Sequence, residues 1–229
     1  DVDAHVQREA AYALGLWKSP QAGRALGEFL LQHAAQPYLR AAALSSAVHV
    51  ADEVLLSVMA AERTPGSAAL SGELISMLGE DGRELLPLIL AKITVKAQAG
   101  KEYETWKLST AARLLAAFHN DKSLYHQLTP MLDAARAIIS NNSELPGRRL
   151  AAIELLAQAT ENPEADMPRY MSLLQVSSPI ELQVAALQPV LKRGNPAIIL
   201  QLLEGWPGYS PVLRSGIIDA MLSRSELTR

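Results

Sequence analysis

Apolar and small residues recur along this chain at steps of four, inside a longer period of thirty to forty residues. Val6, Leu39, Leu70, Trp106, Arg148, Leu182 and Leu213 head seven such segments, spaced 33, 31, 36, 42, 34 and 31 residues apart. Four positions after these anchors stand Ala10, Ala43, Leu74, Thr110, Ala152, Ala186 and Ile217, and eight positions after them Leu14, Ala47, Leu78, Leu114, Leu156, Val190 and Met221. Residues four apart share one face of an α-helix, so each segment predicts a helix with one apolar face. A period this long leaves room for a second helix. Units of that size bury their apolar faces only by stacking on neighbouring copies.

The punctuation between segments agrees. Ser178-Pro179 and Ser210-Pro211 place a capping hydroxyl before a first-turn proline, and Ser19-Pro20, Asn162-Pro163 and Asn195-Pro196 do the same for partner helices. Lys192-Arg193-Gly194 reads as a basic last turn followed by a left-handed stop. Partner helices are thus expected at 20–32, 52–61, 82–94, 121–140, 164–175 and 195–204. With the seven anchored helices this predicts an all-α chain of about thirteen helices in roughly seven repeats. The first anchored helix lacks a partner before it, so the first repeat is expected to be incomplete. Residues 1–229 are accordingly expected to be a single repeat domain excised from a longer protein. Pro87 and Pro130 are expected inside partner helices, where proline removes a hydrogen bond. At the polar anchor Arg148, Leu145 is expected to take over the packing. Residues 94–104 are expected to form a polar loop and Asn141-Asn142-Ser143 a turn, which also matches a glycosylation sequon.

The run Leu85-Leu86-Pro87-Leu88 in a partner helix, with anchored helices such as Asp3-Ala4-His5-Val6-Gln7-Arg8 through Ala13-Leu14-Gly15, resembles HEAT repeats. The resemblance covers nearly the whole chain and implies an α-α superhelix, a HEAT/armadillo-like solenoid. A narrower resemblance rests on Ala11-Tyr12-Ala13-Leu14-Gly15-Leu16-Trp17 and on Pro37-Tyr38-Leu39-Arg40-Ala41-Ala42-Ala43-Leu44-Ser45-Ser46. These segments look like the HEAT portion of large planctomycete-type haem-binding proteins, in which a propeller precedes the repeats and a cytochrome c-type domain follows. That resemblance implies an exported or periplasmic setting. It carries no redox role onto this chain, which contains no Cys-x-x-Cys-His motif.

Composition narrows the chemistry. The chain is 49% hydrophobic with mean hydropathy +0.07, and only 5% aromatic. A net charge of -3 supplies no general field toward nucleic acid, which is therefore not an expected partner. The absence of cysteine excludes disulfides and thiolate metal sites. No apolar run reaches the roughly 20 residues of a membrane span.

The residue after each anchor is Gln7, Arg40, Ser71, Lys107, Arg149, Gln183 or Arg214. The basic members Arg40, Lys107, Arg149 and Arg214 make candidate binding residues for an acidic segment, a phosphate or a carboxylate. The simpler reading has them bonding carbonyls or carboxylates of the adjacent repeat. Trp206, in Gly205-Trp206-Pro207-Gly208-Tyr209, is a further candidate as an aromatic anchor, or else it folds back over the last repeat. His5 with Glu9, and His49 with Asp52 or Glu53, supply only two potential ligands each, so no metal or other cofactor is expected. Gly-x-Ser-x-Gly, Ser-x-x-Lys and His-Glu motifs are missing. The expected function is a non-enzymatic scaffold or protein-interaction domain of a multidomain bacterial protein. A HEAT-like DNA-glycosylase-type or other nucleic-acid-binding protein and a peptide-binding module are the alternatives.

Overall fold

The structure is a computed structural model, and it describes residues 3–61, 65–95, 103–159, 163–193 and 196–222. Thirteen α-helices lie among them: α1 (Ala4–Leu16), α2 (Pro20–Gln32), α3 (Pro37–Ser46), α4 (Ala51–Ala60), α5 (Pro65–Leu78), α6 (Leu86–Ile93) and α7 (Thr105–Ala117), followed by α8 (Lys122–Ser140), α9 (Pro146–Gln158), α10 (Met167–Leu173), α11 (Ile180–Arg193), α12 (Pro196–Glu204) and α13 (Pro211–Leu222). No strand occurs among the described residues. The fold is all-α, and each expected segment carries an α-helix, although those expected at 82–94 and 164–175 begin as 3-10 runs and turn α-helical only at Leu86 and Met167.

Local chemistry sets several boundaries. Ser19 Oγ accepts from the Ala22 amide at 3.2 Å, opening α2, and Ser210 Oγ accepts from the Leu213 amide at 3.3 Å, opening α13. Both are N-caps that satisfy amides left without partners in the first turn. Helix α11 starts later than Ser178-Pro179 suggested. The Pro179 carbonyl accepts from the Leu182 and Gln183 amides, which puts Ser178 one residue too early to cap. The signals at Asn162 and at Gly194-Asn195 lie outside the described residues, as does most of the loop expected at 94–104.

Two expectations are corrected. Pro87 sits in the first turn of α6, where its missing N–H costs no helical bond, because residues Gly79–Leu85 form a 3-10 run ahead of it. Only Pro130 of that pair lies inside its helix, and Pro189 lies inside α11 as well. Leu145 does not replace Arg148 in the core, since it is 73% exposed in the turn before α9. Arg148 instead pairs with Glu144 at 3.2 Å, while Ala152 and Leu156 of the same helix are fully buried. The anchor register therefore survives a charged residue at its head.

The chain divides into two compact units, residues 1–99 with 109–121, and residues 100–108 with 122–229. In the first, α1 packs on α2 and α3, α2 packs on α3, α4 and α5, and α4 packs on α5. In the second, α8 packs on α9 and α10, and α11 packs on α9, α10 and α13. Most of these pairs join a helix to its successor or to the helix after that, and α2 reaches one further, to α5. Alanines at Ala43, Ala47, Ala135, Ala152 and Ala186 are fully buried, as are larger side chains such as Leu26, Leu30, Leu74, Leu128, Leu156 and Leu182. Each such leucine contributes about 1.5–3 kcal/mol by leaving water.

Closest approach comes where side chains vanish. A Cβ placed on Gly23 of α2 would lie 2.5 Å from Glu53 Cβ, and one on Gly27 would lie 2.6 Å from Ser57 Cβ. Gly23 and Gly27 are one helical turn apart and so face α4 together. Ser57 Oγ then donates to the Arg24 carbonyl at 3.4 Å.

Candidate functional site

Three of the residues that follow the anchors, Arg149, Gln183 and Arg214, bond carbonyls at helix ends and turns. A helix leaves its last four carbonyls without intrahelical partners, and cationic or amide side chains can satisfy them. Arg149 of α9 is buried and donates from Nη2 to the carbonyl of Ile139, in the last turn of α8, at 2.9 Å. Gln183 of α11, also buried, donates from Nε2 to the Gln175 and Ser178 carbonyls at 3.0 and 2.9 Å, in the turn after α10. Its Oε1 accepts from Ser210 Oγ at 3.3 Å, which ties the turn to the start of α13.

Arg214 of α13 repeats the device. Its Nε donates to the Trp206 carbonyl at 3.1 Å and its Nη2 to the Pro207 carbonyl at 3.0 Å, while its guanidinium stands 5.8 Å from the Trp206 ring centre. Trp206 is half-buried in the 3-10 turn Trp206–Gly208. Lys107 is buried too, with Nζ 3.5 Å from Glu104 Oε2 and 5.5 Å from the centre of the Trp106 ring. Arg40 differs, because its partner Glu73 is 3.9 Å away and both side chains are 39% exposed. Of the five candidates, the structure brings Trp206 and Arg214 together and gives the other three separate partners, near in sequence for Lys107 and Arg149 and 33 residues away for Arg40.

A second set of charged residues carries no anchor spacing. Arg136 of α8 holds Asp166 through Nε at 2.9 Å and Nη2 at 3.2 Å, and holds Asp133 through Nη1 at 2.8 Å. Asp166 is 1% exposed and takes a third bond from Arg169 Nη1 at 3.2 Å. The hydrogen bond to Asp166 raises the Arg136 guanidinium above its ordinary range, against the opposing effect of burial. Tyr170 is fully buried nearby, and desolvation, aided by the Asp166 carboxylate, raises its phenol well above the usual tyrosine value. Within sequence only the pairs three apart, Asp133 with Arg136 and Asp166 with Arg169, signalled any of this, and neither named the bond between Arg136 and Asp166.

Other bonds reach back by about one period. Lys92 Nζ donates to the Met59 carbonyl at 2.8 Å, 33 residues earlier, in the last turn of α4. Arg193 donates to the Leu156 and Ala157 carbonyls, 37 and 36 residues earlier, near the end of α9. Arg83 pairs with Asp121 at 2.7 Å over 38 residues. These four partners were invisible to a local pattern.

The second unit also holds an open cleft of about 860 Å³, lined by Met167, Met171, Gln175, Ile198, Gln201 and Tyr209 among others. Burial raises the Tyr209 phenol, so it stays a neutral donor there. Among the described residues no group of three or more histidine or acidic side chains converges to hold a metal ion, and no helix is long and apolar enough to cross a membrane. The geometry defines an all-helical protein whose charged side chains seal helix ends and join helices about one period apart. Compared with family models, with curated proteins and with solved structures, the chain finds no match in any of the three.

Proposed function

We propose that this chain is a HEAT-like α-α superhelix that acts as a non-enzymatic spacer and protein-interaction surface within a larger multidomain bacterial protein. One observation carries the reading. Side-chain bonds that reach across sequence span 27 to 38 residues: Ser210 to Gln183, Arg136 to Asp166, Ser57 to Arg24, Lys92 to Met59, Arg193 to Leu156 and Ala157, and Arg83 to Asp121. That interval matches the hydrophobic period, as expected of units that touch only their neighbours. The pairing of α1 with α3, α2 with α4, α8 with α10, α9 with α11 and α11 with α13 agrees with such stacking. So does the resemblance of the sequence to HEAT repeats. Commitment of Lys107, Arg149 and Arg214 to internal partners favours a scaffold over a catalytic groove, and leaves Arg40 with only a long, half-exposed pair.

Because the chain has no cysteine, two dyes can be attached at introduced thiols, for example at the exposed Glu9 and Ser215. Energy transfer between them measures end-to-end distance. Deleting the α10–α11 pair should shorten that distance by about 9 Å, the spacing of packed helices, while folding remains cooperative. A closed bundle would hold the two dyes together and leave the distance unchanged by the deletion, and that result would remove the spacer role.

A further inference from the structure

Along α1 and α3 lies an open groove of about 920 Å³, formed chiefly by His5, Arg8 and Tyr12 on one side and Tyr38, Ala42 and Ser45 on the other. The two helices touch further along, where a Cβ on Gly15 would lie 2.7 Å from Ser46 Cβ. The small side chains of Ala41 and Ala42 line the groove before that contact. Its volume falls in the range of ligand sites, about 300–1,000 Å³.

The walls are unusual for this chain. Aromatic residues make up only 5% of it, yet Tyr38 is 89% exposed and Tyr12 43% exposed. A tyrosine left in water forgoes most of the stabilisation its ring would gain by burial, whereas on a rigid helix it can stack on a partner at little entropic cost. Arg8 lines the groove and no carboxylate is among the described lining residues, although Glu9 beside it pairs with Arg8 at 3.0 Å. No side chain caps the start of α3 beside Tyr38 either, so the positive end of that helix adds to the same sign.

We propose that this groove docks an acidic peptide segment, with Tyr12 and Tyr38 stacking on its proline or aromatic side chains and Arg8 pairing with a carboxylate. The proposal rests on the interaction-surface reading above and names the partner's chemistry. From Ala4 to Tyr12 helix α1 rises about 12 Å, which an extended segment covers with about four residues. Arg8 presently offers Nε and Nη2 to Glu9 Oε1 at 3.3 and 3.0 Å. Both side chains are largely exposed, so the pair is weak and a ligand carboxylate can take the place of Glu9.

The test uses the full chain as bait for a phage library of random heptapeptides, with recovered sequences resynthesised and bound in fluorescence anisotropy. Recovered peptides should combine Asp or Glu with Pro, Tyr, Phe or Trp. Tyr38→Ala should weaken them about tenfold, Arg8→Gln about fivefold, and Glu9→Gln should tighten them about threefold. All three side chains are at the surface, and circular dichroism confirms that each variant stays folded. Failure to enrich any sequence, enrichment of basic or uncharged peptides, or undiminished binding by Y38A and R8Q would overturn the proposal. None of those results alters the end-to-end distance, so the spacer role stands or falls separately.

Discussion

Arg136 grips Asp166 through two hydrogen bonds, Nε to Oδ1 at 2.9 Å and Nη2 to Oδ2 at 3.2 Å, across 30 residues of sequence. Asp166 has almost no contact with water, so removing its main partner strands a desolvated carboxylate. Arg136→Met should destabilise the fold by on the order of 3 kcal/mol, with Arg169 limiting the loss. Asp133→Asn, at a side chain 66% exposed, should cost under about 1 kcal/mol. Urea unfolding of the two variants checks the contrast. Equal effects would mean that Asp166 is not the partner that matters.

Gly27→Ala should destabilise although alanine favours helices by about 1 kcal/mol over glycine. The added methyl would overlap Ser57, whose Cβ lies 2.6 Å from its ideal position, and overpacking of this kind costs about 2 kcal/mol. Adding Ser57→Gly to Gly27→Ala should recover part of the loss by removing the opposing Cβ. Thermal melts of the single and double variants provide the measurement. A simple gain in melting temperature for G27A would show that α2 and α4 are not in close contact.

Arg149→Met and Arg40→Met should separate cleanly. Arg149 is buried and closes the end of α8, so its loss should cost about 2 kcal/mol. Arg40 makes a long, half-exposed pair and should cost under about 0.5 kcal/mol. Denaturant midpoints decide. The reverse order would return Arg149 to the list of binding residues.

Tyr170→Phe should leave stability at pH 7 unchanged or raise it by up to about 1 kcal/mol, because its hydroxyl is buried with no hydrogen-bond partner among the described residues. At alkaline pH the variant should gain on the parent. Burial raises the folded-state phenol above the unfolded value of about 10. Below that pH both states are neutral, so the stabilising contribution is whole. Above it only the unfolded chain ionises, and stability falls as pH climbs toward the folded value. Urea midpoints at about pH 7 and about pH 10.5 test this. Identical alkaline losses in parent and variant would contradict the burial of the phenol.

Helices were legible in the sequence because their signals are local. Ser19-Pro20 and Ser210-Pro211 carry cap and first-turn proline side by side, and both hydroxyls accept the expected amides. Leu182, Ala186 and Val190 repeat at steps of four and are all fully buried. Partnerships across a period were not legible. Nothing near Arg193 names Leu156, and nothing near Arg136 names Asp166, since those contacts exist only once helices stack. Leu145 misled for a related reason. Its hydrophobicity suggested packing, but the turn before α9 leaves it in water while Arg148 finds Glu144. The groove beside Tyr38 was hidden as well, because exposure is a property of neighbours and two alanines shape it.

Gly15 has a reach beyond its own contact with Ser46. It lets two backbones lean together at one end, as the pivot of a pair of tongs does, so the gap between Tyr12 and Tyr38 depends on an atom missing under one turn from Tyr12 and about two turns from Tyr38. Any methyl at that pivot would pry the jaws to a new width. Selectivity for a ligand could thus drift in evolution without a single change among the residues that would touch it.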